Sequence, residues 1–257
     1  MNERTSKILA YVAGRWPLDP EKPTILFIHG SGGSRALWEN QIDNLNKHVN
    51  TIAVDLPGHG KSRGSGLDRV EDYCAAVMDF IETERIPTPI PCGLSIGGAI
   101  VLQLILEHKT RFKAAILVNT GARLRVMPAI FEMIKKDYEG YLKTIPAFAA
   151  SDKTDPRKLA SLMADTANCH PEVAYGDFTA CDRFNVTEKL SLITTPVLIL
   201  TAEDDKLTPQ KYGLYLKEQI KNSSIINIKD AGHLSPLEQP EAFNRAVIDY
   251  LKQEKLV

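Results

Sequence analysis

The chain has 257 residues, 44% hydrophobic and 25% charged, a balance that fits a folded globular protein and excludes global disorder. Its 31 basic and 32 acidic residues leave a net charge of −1, so no bulk attraction to nucleic acid or to an anionic membrane is expected. Residues 1–7 lead into no long apolar run and no stretch approaches the ~20 apolar residues that span a bilayer, so neither a secretory signal nor a membrane span is expected.

The first buried-strand pattern lies at 24–28, with others at 51–54, 114–118, 196–200 and 225–228. Each is a short, continuous apolar run, as expected of parallel strands covered on both faces. Residues 90–94 give a weaker strand signal, because Pro91 and Gly93 interrupt it. Between these runs, residues 67–86 place Val70, Cys74, Val77, Met78 and Ile81 on one helical face. Residues 97–108 are apolar almost all round and predict a buried helix, and residues 240–252 predict a second one-faced helix. The alternation points to an α/β fold, a mostly parallel sheet with helices on both faces.

From about Arg123 to Leu190 only helical patterns occur, for example at 127–141 and 157–167. An inserted helical cap at 123–190 is expected, with the sheet core formed by 1–122 and 191–257. Parallel sheets bind ligands at their carboxyl edge, so a cap there would shape a pocket. The four cysteines, Cys74, Cys92, Cys169 and Cys181, form no C-x-x-C pair and read as reduced thiols of a cytoplasmic protein.

The segment Gly93-Leu94-Ser95-Ile96-Gly97-Gly98 follows a strand candidate and opens the buried helix. A tight strand-to-helix turn exposes its serine at the sheet edge, and small residues two before and two after leave room for the backbone. A serine needs a base to become a nucleophile. Among six histidines, His233 lies on a loop between the last strand and the last helix, at the same sheet edge. His29 and His59 also lie near that edge, but in turns where a structural role is at hand. The loop after 196–200 carries Glu203, Asp204 and Asp205. Asp205 is the expected partner that orients His233, with Asp204 as its rival. His29-Gly30-Ser31-Gly32-Gly33 follows the first long strand, and the N–H groups of Ser31 and Ile96 are the expected oxyanion donors.

Taken together, His29-Gly30, the run from Asp55 to Ser62, Gly93 to Gly98, Asp205 to Pro209 and Gly232-His233 resemble the α/β-hydrolase superfamily over essentially the whole chain. The resemblance implies a Ser95–His233–Asp205 triad, a variable cap and a largely structural role for residues 55–62. Cys92-Gly93-Leu94-Ser95 looks like the nucleophile segment of 3-oxoadipate enol-lactonases. Carbon–carbon bond hydrolases are similar around residues 29–32 but usually carry a proline where this chain has Gly33-Ser34. A serine at 95 argues against epoxide hydrolases and haloalkane dehalogenases, which use aspartate.

The expected activity is hydrolysis of small to medium esters or lactones, with a small-molecule substrate, no nucleic-acid or membrane partner, and no metal or organic cofactor. Phe131, Tyr138 and Phe178 are candidate substrate contacts in the cap, although helical spacing also suits the cap's own interior. Arg123 is a candidate for binding a substrate carboxylate. The alternatives are a carbon–carbon hydrolase or lyase using the same three side chains, and a non-catalytic binding relative.

Overall fold

Short apolar runs alternating with helical stripes assemble, in the computed structural model, into one sheet of eight strands. The structure describes residues 2–257. The chain begins with β1 (Asn2–Thr5), β2 (Ala10–Ala13), β3 (Thr24–Ile28), α1 (Glu39–Leu45) and β4 (Asn50–Val54). It continues through α2 (Val70–Thr83), β5 (Pro89–Leu94), α3 (Ile96–Glu107) and β6 (Ala115–Val118). Four helices follow without a strand: α4 (Pro128–Lys136), α5 (Tyr138–Ala149), α6 (Ala160–Ala167) and α7 (Pro171–Arg183). The chain then returns through β7 (Val197–Ala202), α8 (Lys211–Gln219), β8 (Ser223–Ile228), α9 (Ser235–Glu238) and α10 (Pro240–Gln253).

The strand order is β1-β2-β4-β3-β5-β6-β7-β8. All pairings from β4 to β8 are parallel, and β1 and β2 add an antiparallel edge. Period-two alternation divides the core. Leu26, Ile28, Leu117 and Ile199 pack with α2, α3 and α8 on one face. Ile25, Phe27, Ile116 and Leu198 pack with α1 and α10 on the other.

Strand β5 forms in spite of its two prolines, for a geometric reason. Thr24 N donates to Thr88 O, so the even-numbered residues of β5 bond toward β3. Pro89 and Pro91 therefore turn their missing N–H toward β6, whose pairing starts only at Cys92. Strands β1 and β2 are additions to the sequence reading. Asn2–Thr5 is exposed throughout, so it carries no apolar signal. Strand β8 is half-buried rather than covered on both faces, because it is the far edge of the sheet.

The helical pattern at 127–141 resolves into α4 and α5, broken at Asp137 (φ −152°, ψ 73°). The Asp137 side chain then caps α5 by accepting from Gly140 N at 2.8 Å. The segment from α4 to α7 is fastened to loops at the carboxyl ends of the strands. Ser34 Oγ, after β3, donates to Asp165 of α6 at 2.6 Å. Leu234 N, after β8, donates to Ala149 O at 3.2 Å. Among the described residues, no helix is long and apolar enough to cross a membrane.

Candidate active site

Ser95 stands between β5 and α3 with φ 58° and ψ −117°, a backbone region that costs a non-glycine residue about 1–3 kcal/mol. Packing holds it there. A Cβ on Gly93 would lie 2.1 Å from Gly97 O, and one on Gly97 would lie 2.4 Å from Ile28 O. Only glycine at both positions lets α3 start this close to the sheet. Ser95 N donates to Val118 O at 3.0 Å, and Ser95 O accepts from Thr120 Oγ1 at 2.8 Å.

His233 and Asp205 meet directly: His233 Nδ1 and Asp205 Oδ2 are 2.9 Å apart, and both residues are buried. Asp205 also accepts from Leu207 N and Thr208 N at 2.9 Å each, and from Thr208 Oγ1 at 2.7 Å. Burial alone would raise its carboxyl, but the His233 ring and these donors override burial and hold it at about 2. The rival Asp204 turns elsewhere, accepting from Ser151 Oγ at 2.6 Å and facing Lys153 at 3.4 Å.

The Ser95 and His233 loops are tied to consecutive residues at the end of β6. Val118 O takes Ser95 N, and Asn119 Nδ2 donates to His233 O at 2.8 Å and to Ser235 Oγ at 2.9 Å. Asn119 itself has φ 44°, a left-handed conformation that asparagine tolerates better than most residues.

The loop after β3 presses on the same place, since a Cβ at Gly30 would lie 3.6 Å from Ser95 Cβ. Gly33 N donates to Gly30 O at 3.1 Å and Gly32 N to Asp177 Oδ2 at 2.7 Å. Ser31 N is left without a protein acceptor among the described residues. Ile96 N, at the first turn of α3, has no intrahelical acceptor and sits at the positive end of the helix dipole. The end of β6 thus anchors both the strained serine turn and the loop that carries the His233–Asp205 pair.

A model of the alpha/beta hydrolase family matches residues 25–246. The chain belongs to that family. Among curated relatives of this alpha/beta hydrolase, 3-oxoadipate enol-lactonase 2 of Acinetobacter baylyi is 27% identical over 241 residues, 91% of this chain and 90% of that protein. Pimeloyl-[acyl-carrier protein] methyl ester esterase of Neisseria meningitidis is 27% identical over 242 residues, 89% of this chain and 93% of that protein. The crystal structure of the enol-lactonase from Burkholderia xenovorans shares the fold with a TM-score of 0.88 at 23% identity, covering 95% of this chain and 96% of that one.

The candidate substrate contacts fall in three groups. Tyr138 stacks on Tyr141 with ring centroids 5.8 Å apart, and Tyr141 meets Phe178 edge-on at 5.9 Å. Phe131 meets Tyr175 edge-on at 5.2 Å. Arg123 is exposed, pairs in an isolated bridge with Asn185, and lines a surface cleft of about 240 Å³ with Thr187, Lys211, Tyr212 and Tyr215.

The two other histidines near the sheet edge have structural partners. Buried His29 accepts Leu56 N at Nε2 (3.0 Å), and buried His59 lies 2.8 Å from Asp177. Asp55 binds the Arg35 guanidinium and accepts from Arg35 N and Lys61 N at 2.8 and 2.9 Å, which fixes the turn through residues 55–62.

Sequence reasoning missed Asn119, Asp177 and Glu238. Buried Glu238 accepts Gly232 N and Leu234 N at 3.0 Å on either side of His233, and Ser151 N at 2.8 Å. None of the three carried a local signal: Asn119 and Asp177 act on residues distant in sequence, and Glu238, although only four and six residues from Leu234 and Gly232, looks in the sequence like any helical carboxylate.

Proposed function

We propose that this alpha/beta hydrolase is a serine esterase or lactonase acting on small to medium substrates through an acyl-enzyme. The observation that carries the reading is the buried 2.9 Å contact between His233 and Asp205, on a loop tied to the same strand end as Ser95 in its strained turn. In this reading residues 123–190 are the cap, residues 1–122 and 191–257 the core, and Phe131, Tyr138, Phe178 and Arg123 the candidate substrate contacts.

His233 Nε2 takes the Ser95 hydroxyl proton while Oγ attacks the ester or lactone carbonyl. Asp205 keeps the other ring proton on Nδ1 and stabilises the imidazolium. The N–H groups of Ser31 and Ile96 hold the oxyanion. His233 returns its proton to the leaving alcohol as the carbon–oxygen bond breaks. Water then repeats the cycle on the acyl-serine and releases the acid. The names of the relatives support an ester or lactone carbonyl as the target.

The test is turnover of a panel of short p-nitrophenyl esters and lactones by the wild type and by Ser95→Ala. The variant should lose about 10⁴–10⁶ in kcat while keeping its fold. Near-native turnover by folded Ser95→Ala would remove the nucleophile and the mechanism with it.

A further inference from the structure

Asp177 is fully buried on α7, in the helical insertion, yet its carboxylate reaches into the loop that follows β3. Its Oδ2 accepts Gly32 N at 2.7 Å and faces His59 Nε2 at 2.8 Å, and its Oδ1 accepts Tyr73 OH at 2.6 Å. A buried carboxylate with three donors is a costly arrangement unless every partner is in place. Two of those partners, His59 and Tyr73, belong to the core, and the third is a backbone amide beside Ser31.

We propose that Asp177 is a positioning residue that sets the oxyanion loop from the cap side, fixing Gly32 N–H so that the neighbouring Ser31 N–H is left for the reacting oxygen. The inference rests on the serine-esterase reading above. Within residues 31–33, Gly33 N closes the turn on Gly30 O and Gly32 N is taken by Asp177. Gly32 holds φ +63°, a conformation open to glycine, so the carboxylate rather than a side-chain preference selects this turn.

A bare carboxylate so near an oxyanion would oppose catalysis, and His59 answers that difficulty. Burial works against a charge on His59, but the adjacent Asp177 carboxylate overrides it and holds the imidazolium above its ordinary value. Burial likewise opposes the Asp177 charge, and His59 with the Tyr73 hydroxyl and the Gly32 amide holds that carboxyl below its ordinary value. His59 Nδ1 also faces Pro57 O at 3.1 Å, so both ring nitrogens meet acceptors; that favours the charged ring, which offsets the carboxylate while Oδ2 remains a strong acceptor toward Gly32 N.

A purely structural anchor between cap and core predicts lost stability with intact turnover. A positioning role predicts a loss in kcat. The experiment measures kcat and KM on p-nitrophenyl acetate, and Ki for an alkyl trifluoromethyl ketone, which adds to the serine and forms an oxyanion. The wild type, Asp177→Asn, Asp177→Ala and Ser95→Ala are compared, each checked for folding. Asparagine conserves the volume and one acceptor oxygen for Gly32 N, whereas alanine leaves none.

The expected order in kcat is wild type, then Asp177→Asn, then Asp177→Ala. The alanine variant should lose about 10- to 100-fold with KM within about threefold, and the ketone Ki should rise in step with the lost kcat. Equal kcat for folded wild type and Asp177→Ala, or a change confined to KM, overturns the proposal. Where Asp177→Ala does not fold, Asp177→Asn decides, and a kcat equal to that of the wild type overturns it. Turnover by Ser95→Ala rejects the underlying mechanism instead. A dead Ser95→Ala beside unaffected Asp177 variants rejects only the positioning role.

Discussion

Replacing Asp205 by asparagine changes one oxygen to an amide nitrogen, and the surrounding donors dictate which one. Oδ1 accepts two backbone amides, Leu207 N and Thr208 N, which can only donate. The asparagine carbonyl must take that side, leaving its NH₂ facing His233 Nδ1 and Thr208 Oγ1 in place of Oδ2. His233 then presents a lone pair at Nδ1 and carries its proton on Nε2, where it cannot accept from Ser95. The expected loss in kcat/KM is about 10⁴-fold, or about 5 kcal/mol of transition-state stabilisation.

Stability should fall as well. The Asp205 carboxyl drops from an ordinary 3.8 to about 2 in the folded protein. A depressed carboxyl stabilises the fold above its unfolded value and loses that contribution as pH falls through the folded one. The shift corresponds to about 2 kcal/mol near neutrality, which the amide cannot supply. Steady-state hydrolysis of p-nitrophenyl acetate and urea unfolding measure the two effects, with Asp204→Asn as the control. Asp204→Asn should keep kcat/KM within about threefold, since it faces Ser151 and Lys153 rather than the base. A Asp205→Asn variant within about tenfold of wild type, beside a crippled Asp204→Asn, would refute the tautomer argument.

Three further outcomes follow from the packing and the buried charges. Gly97→Ala should destabilise the protein by about 3 kcal/mol or more in urea, because its Cβ would lie 2.4 Å from Ile28 O; a cost near zero would mean that the turn after Ser95 yields easily. Burial, helped by the neighbouring His59, pushes His29 from 6.5 down to about 4. The unfolded chain therefore binds a proton more readily in that window, and stability from His29 should fall as pH drops from about 6.5 to about 4. His29→Gln should flatten that part of the pH dependence of the urea midpoint, and an unchanged slope would contradict the assignment. Glu238→Gln keeps one acceptor oxygen where Gly232 N, Leu234 N and Ser151 N now share two, so it should cost about 2–3 kcal/mol and lower kcat by loosening the His233 loop. A stable variant with wild-type kcat would show that the loop holds itself.

What the sequence made legible was what is local. The interior strands announce themselves as apolar runs because helices cover both sides of them, and the serine turn announces itself because Gly93 and Gly97 have backbone at the place of a side chain. Strand β1 was silent because an exposed four-residue edge needs no apolar pattern. Helix α1 was missed because seven residues give too few turns for a periodic signal. The acidic loop pointed to three carboxylates, and only the fold separates Asp205, turned toward His233, from Asp204, turned toward Ser151. Asp177 and Asn119 stayed hidden because their significance lies in partners brought near by folding, such as Gly32 for Asp177, and Glu238 because a local turn lets its carboxylate fold back on Gly232 N and Leu234 N with no pattern that marks it.

The four cysteines are free and buried. Cys169 and Cys181 lie in the helical insertion, Cys74 on α2 and Cys92 on β5. Burial pushes all four thiols up, Cys169 and Cys181 to about 12 and Cys92 well above its ordinary value. An alkylating reagent thus meets almost no thiolate until a segment opens. With one pair in the insertion and the other split between β5 and the α2 helix, the order of modification is a built-in clock that times the loosening of each region separately, without any label being introduced.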